Sequence, residues 1–260
     1  MRRLLAAAAV ALALLLGGCA ATSPQPGATA SGGSDALSGD LVVSAAASLK
    51  GAFDQAIKEF TSAHRQVHVV VTYDGSSALA TQIDNGARVD VFASADEASM
   101  ARVTDAGLAS TPVIFARNTL VLVVPRGNPA GIRTLADLAD PQVTTVLCAP
   151  EVPCGTASQK LLAIAGVEVT PASEEQNVTA VLTKVRGDEA DAGLVYRTDA
   201  MAAADDVERV SLDGSAGVVN SYPIAVLDHA SNPAAAKAFA AFVRGDSGQR
   251  ILTSFGFEAL

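Results

Sequence analysis

Apolar positions along the chain fall into short buried runs separated by stretches of helical period, and the two alternate almost from end to end. Leu41-Val42-Val43 opens a strand, after which Phe53, Ile57 and Phe60 recur at helical spacing. Residues 67–73 predict a second strand, followed by a helix carrying Leu79 and Ile83 that Gly86 ends. A third strand covers 89–92, and a short helix over 97–106 stops at Gly107. The run 120–124, closed by Pro125, is a further strand. After a loop rich in Gly and Pro, 144–147 restarts the alternation. Helices over 157–165 and 178–185 stop at Gly166 and Gly187, and strands follow at 192–196 and 223–227. Helical stretches around 234–243 and 247–254 close the chain.

Repeated strand–helix units imply α/β layers with mainly parallel strands. The segments 120–125 and 222–227 are separated by about a hundred residues that form their own α/β set. Two such strands make a double crossover between two lobes, one built from 41–118 plus 224–260 and the other from 119–223. In this architecture a ligand sits in the cleft, where strand C-termini meet helix N-termini.

The N-terminus reads as an address. Met1-Arg2-Arg3 is positive, 4–16 is apolar, and Gly17-Gly18-Cys19 follows. The run is too short to span a bilayer comfortably, so 1–18 is expected to be a signal peptide. Leu16-Gly17-Gly18-Cys19 resembles a bacterial lipobox, with Cys19 the lipid-modified first residue after cleavage. Residues 19–40, rich in Ser, Gly, Pro, Thr and Ala, predict a flexible tether reaching on the order of 25 Å. The expected product is a lipid-anchored domain on the extracytoplasmic face of the cell membrane.

Composition narrows the choice. Of 260 residues half are apolar, but 52 are Ala and none is Trp, so the positive mean hydropathy needs no membrane span. The formal charge is −9, and losing Arg2 and Arg3 with the signal peptide makes it −11. An acidic chain without a basic cluster is a poor nucleic-acid binder. Three Cys are too few for a disulfide-framework miniprotein and wrongly spaced for a zinc ribbon.

Candidate chemistry stands at the strand–helix junctions. Ser48 follows the first strand, Ser76 and Ser77 the second; Cys154-Gly155-Thr156 and Asn177-Val178 precede helices, and Tyr196 ends a strand. The first N–H groups of a helix have no intrahelical acceptor, and several aimed at one point bind an anion without Lys or Arg. The hydroxyls of Ser48, Ser76 and Tyr196 add donors. Singly, each has a plainer role: Ser and Asn cap helices, and Tyr packs at strand ends. Ser94 and Asp96, at a third junction, read as caps of the next helix.

Taken together, Ala45-Ala46-Ala47-Ser48-Leu49, Gly75-Ser76-Ser77-Ala78-Leu79-Ala80-Thr81-Gln82-Ile83, Asp90-Val91-Phe92-Ala93-Ser94-Ala95-Asp96, Val152-Pro153-Cys154-Gly155, Glu175-Gln176-Asn177-Val178 and Gly193-Leu194-Val195-Tyr196-Arg197-Thr198-Asp199-Ala200 resemble the periplasmic molybdate-binding protein family. Tyr222-Pro223-Ile224-Ala225-Val226 and Phe255-Gly256-Phe257 match as well, in consistent order from about 41 to 260. The resemblance implies a type II periplasmic-binding fold: two lobes, two crossover hinge strands, and a monomeric receptor that hands its ligand to an ABC permease and its ATPase. It implies no cofactor and no catalysis. Carried over by motif, Ser48 and Ser76 bind the oxyanion through hydroxyl and backbone N–H, Cys154 and Val178 through backbone N–H, and Tyr196 through its hydroxyl. The family motif often has Ala where this chain has Cys154, a change that a backbone donor tolerates.

Cys148 lies six residues before Cys154 in an exported chain. An oxidising compartment favours their pairing, and so short a loop would contribute about 2 kcal/mol. A site of donors alone suits molybdate, tungstate or sulfate, dianions without a proton. Hydrogen phosphate would turn its own O–H toward other donors, a mismatch costing roughly 1–3 kcal/mol. Asp74, pointed inward, could take that proton; in the turn before Gly75 it is an ordinary turn residue. The rival readings are a receptor for another tetrahedral oxyanion and a secreted hydrolase. For the second there is no Gly-x-Ser-x-Gly elbow, and His64 and His68 straddle a helix end.

Overall fold

The computed structural model describes residues 37–210, 212, 218–258 and 260. The segments expected to be signal peptide and lipidation site (Cys19), and most of the expected tether, lie outside them. Among the described residues no helix is long and apolar enough to cross a membrane.

The first unit is β1 (Ser38–Ala46), a 3₁₀ turn (Ala47–Leu49), α1 (Lys50–Ala63), β2 (Gln66–Asp74), α2 (Ser76–Asp84), β3 (Val91–Ala93) and α3 (Glu97–Asp105). The chain then runs through β4 (Val113–Pro125), a 3₁₀ turn (Leu135–Ala139), β5 (Thr145–Cys148), α4 (Pro153–Ala165), β6 (Ser173–Glu175), α5 (Val178–Arg186), β7 (Ala192–Tyr196), α6 (Arg197–Ala202) and β8 (Val207–Val210). It returns through β9 (Val219–Val226) and ends in α7 (Pro233–Arg244) and α8 (Asp246–Ser254).

The strand order is β2-β1-β3-β9-β4-β7-β5-β6, with β8 on the side of β4. Parallel ladders hold both flanks, β1 with β2 and β3, and β5 with β6 and β7. The expectation of mainly parallel strands gives way in the middle. There β9 runs against β3 and β4, and β4 runs against β7 and β8. The cause is the crossover: β4 carries the chain out of the first flank and β9 carries it back, so they lie antiparallel. The first half of β4, Val113–Thr119, pairs with β9, and the second half, Leu120–Pro125, pairs with β7 and β8.

Helices stop where the glycines predict: Gly86, Gly107 and Gly166 have φ of +87°, +70° and +66°, a region closed to most side chains. Some boundaries differ from the sequence reading. Helix α4 begins at Pro153, four residues early, because proline belongs at a first helical position as readily as in a loop. Strand β4 starts at Val113, its first half hidden by Arg117 and Asn118. The short β6, β8 and α6 carry too little periodicity to be seen. Under the first flank Phe53, Phe60 and Phe239 pack edge to face with centroids 5.3–5.9 Å apart.

Candidate functional site

Loops from both flanks of the sheet converge on one small, partly open cavity. Ser48 stands in the 3₁₀ turn between β1 and α1, and Ser76 is the first residue of α2. Cys154 is the second residue of α4, Val178 the first of α5, and Tyr196 the last of β7. All five residues singled out in the sequence line this cavity. Among the described residues its wall holds no Lys, Arg or His, and its one charged member is Asp74.

Three α-helices start at this point. The opening N–H groups of α2, α4 and α5 have no acceptor within their own helices and carry the positive ends of the helix dipoles. Pro153 at the head of α4 removes one N–H and leaves that of Cys154 next in line.

Hydrogen bonds aim the hydroxyls. Ser76 Oγ accepts from the Ala95 N–H at 2.9 Å, so its proton remains available to donate. Tyr196 Oη accepts from Asn220 Nδ2 at 3.0 Å, and that amide also donates to the Ala95 carbonyl at 3.0 Å. Ser48 Oγ lies 2.9 Å from Tyr222 Oη. Neither serine caps a helix through its side chain. Asn177 and Asp96 do cap, accepting from the Ala180 N–H at 3.0 Å and the Ser99 N–H at 2.9 Å.

A second polar layer lies under the first, and the sequence reading missed it. Tyr222 on β9 touches Ser48 and interacts with Tyr196 and Asn118. Asn118 on β4 is register partner of Asn220 on β9, and its Nδ2 donates to Thr198 Oγ1 at 2.9 Å. Burial pushes the phenols of Tyr196 and Tyr222 well above the ordinary tyrosine value, so both stay protonated at any physiological pH. Burial also pushes the Asp199 carboxyl up to about 7, although it accepts the Tyr196 N–H at 3.2 Å. The available signal was an Asn inside each apolar crossover strand, since a buried amide in a sheet must find partners.

The loop that presents Cys154 is doubly held. A disulfide joins Cys154 to Cys148 at the end of β5. Next to it, a Cβ on Gly155 would stand 1.8 Å from the Ala149 carbonyl oxygen, so only glycine lets α4 sit this close to the strand.

The family model for bacterial extracellular solute-binding proteins matches residues 41–258. The molybdate-binding protein ModA of Mycobacterium tuberculosis is 46% identical over 246 residues, 94% of each chain. Two solved structures share the fold at 20% identity. The periplasmic molybdate-binding protein of Azotobacter vinelandii has a TM-score of 0.71 over 85% of this chain and 99% of its own. The sulfate-binding protein SubI of M. tuberculosis has 0.73 over 85% and 87%. At that identity they carry the fold alone. The family consists of solute-binding proteins and not of enzymes, in agreement with the motif resemblance. The chain belongs to the bacterial extracellular solute-binding protein family.

Proposed function

We propose that this protein captures molybdate, and with it tungstate, in the cavity between two lobes and delivers it to an ABC importer. The lobes are 41–118 with 224–260, and 119–223, and the chain acts as a monomer tethered to the membrane through a lipid on Cys19. The observation that carries the reading is the cavity wall: helix N-termini and hydroxyls from both flanks of the sheet, with no cationic side chain among the described residues. Ser48 and Ser76 would each give a hydroxyl and a backbone N–H, Cys154 and Val178 a backbone N–H, and Tyr196 its hydroxyl.

Donors without a cation suit a tetrahedral dianion with no proton of its own, and Asp74, the one carboxylate in the wall, already accepts from Gly75 and Asn177. Each hydrogen bond to such a charge contributes about 1.5–3 kcal/mol, and about seven of them leave sub-micromolar affinity after desolvation and ordering. Sulfate meets the same donors and differs in size, and similarity to the molybdate-binding relatives decides for molybdate. No group in this picture performs chemistry on the ligand.

Titration calorimetry with sodium molybdate, tungstate, sulfate and phosphate tests the reading. Molybdate and tungstate are expected to bind far more tightly than sulfate, and phosphate weakest. Loss of both serine hydroxyls, Ser48→Ala with Ser76→Ala, should weaken molybdate at least about 100-fold. Unchanged affinity in that double variant would remove these residues from the site.

A further inference from the structure

At one side of the cavity the two ends of the sheet touch. Asp74 ends β2 and Gly75 follows it, at one end of the strand order; Gln176 and Asn177 follow β6, at the other. Asn177 Nδ2 donates to Asp74 Oδ1 at 2.9 Å, and the same oxygen accepts from the Gly75 N–H at 2.7 Å. The other end of the Asn177 amide caps α5, which turns its NH₂ toward Asp74. One residue thus ties the helix start to the opposite flank.

Gly75 adds a steric observation. A Cβ there would stand 2.1 Å from the Gln176 carbonyl oxygen and 3.4 Å from Val152 Cγ1. The backbone at Gly75, φ −59° and ψ 134°, is one that any L-residue adopts. Glycine is therefore required here by what approaches it and not by its own conformation. What approaches belongs to the other flank.

We propose that Asp74-Gly75 and Gln176-Asn177 form a latch that holds the two flanks together over the guest. It fixes the start of α5, and with it the Val178 N–H, against the cavity. Asp74 and Gly75 are positioning residues for binding, and the proposal rests on the oxyanion-receptor reading above. The carboxylate in the wall of an anion site is explained by this role: its Oδ1 is taken up by two N–H donors.

The test is titration calorimetry and small-angle scattering with sodium molybdate on the wild type, Gly75→Ala, Asp74→Ala and Asp74→Asn. Alanine at 75 suits its own flank and clashes only with the other. It should leave the melting temperature of the ligand-free protein within a few degrees while weakening molybdate about 100-fold and removing any contraction that the wild type shows on binding. Asp74→Ala should weaken molybdate about tenfold even though it removes a repelling charge. Asp74→Asn keeps an oxygen for both donors and should bind as tightly as the wild type or more so. If Asp74 acted through charge alone, both substitutions would tighten binding. Should Gly75→Ala fail to fold, the Asp74 pair still decides. Wild-type binding that every variant retains within threefold overturns the latch alone. A wild type that answers none of the four oxyanions overturns the functional reading and takes the latch with it.

Discussion

Asp199 is the residue whose surroundings make the plainest demand. It sits three positions past Tyr196, accepts the Tyr196 N–H, and burial raises its carboxyl to about 7 from an ordinary value of 3.8. Between those two values the folded chain keeps a proton that the unfolded chain has shed. The contribution to stability is therefore complete below about pH 4 and is lost as the pH rises through 7. Asp199→Asn removes the titration and keeps an oxygen for the Tyr196 N–H. Melting curves at pH 5 and pH 8 should find the variant gaining on the wild type by several degrees at the higher pH. A difference that stays flat across that range contradicts the raised titration of Asp199. The neighbouring phenols should show no such dependence, because burial moves their titration further above this range and they remain donors.

Among the elements, the start of α4 is held most firmly, through the Cys148–Cys154 disulfide and the contact of Gly155 with Ala149. Replacing both cysteines by serine should lower stability by about 2 kcal/mol, which for a chain of this size is roughly 4–8 °C in Tm. It should also weaken molybdate, because the Cys154 N–H loses its anchor. Equal affinity in the oxidised wild type and the double variant would reduce the bridge to a stability device. How far such features were legible depends on sequence distance. Runs such as 67–73 and 178–185 declare strand and helix through their own period, and Ser48, Ser76 and Tyr196 stand out at junctions. The first half of β4 does not, because Arg117 and Asn118 break the apolar pattern that the fold overrides. Nor do the bonds that build the site: Ser48 reaches Tyr222 across 174 positions and Asn177 reaches Asp74 across 103. Cap preference favoured Ser48 and Ser76 as ordinary helix caps, and tertiary partners that no local rule anticipates took their hydroxyls instead.

At the scale of the whole molecule, the decisive fact is that β2 and β6 stand at opposite ends of the strand order and yet their following loops hydrogen-bond. Eight strands laid flat would separate those ends by about 34 Å, so the sheet must fold over on itself and turn its two flanks face to face. That curl concentrates several helix N-termini on one small volume, and it replaces cationic side chains as the source of positive potential. A consequence distinguishes this site from one built of arginines. Partial charges on fixed backbone amides act over a few ångströms inside the protein, within reach of the guest and shielded from mobile ions. The remaining charge of the chain is net negative, −9 over the full sequence, and its long-range effect on an arriving dianion is repulsive. Raising sodium chloride from 50 to 500 mM should therefore leave the molybdate affinity within about threefold, with any drift toward tighter binding as the repulsion is screened. A site dependent on Lys or Arg would lose affinity steadily over the same range. A tenfold loss in calorimetric titrations at fixed pH would mean that a cation contributes to the site, and the account of a wall without cations would have to be given up.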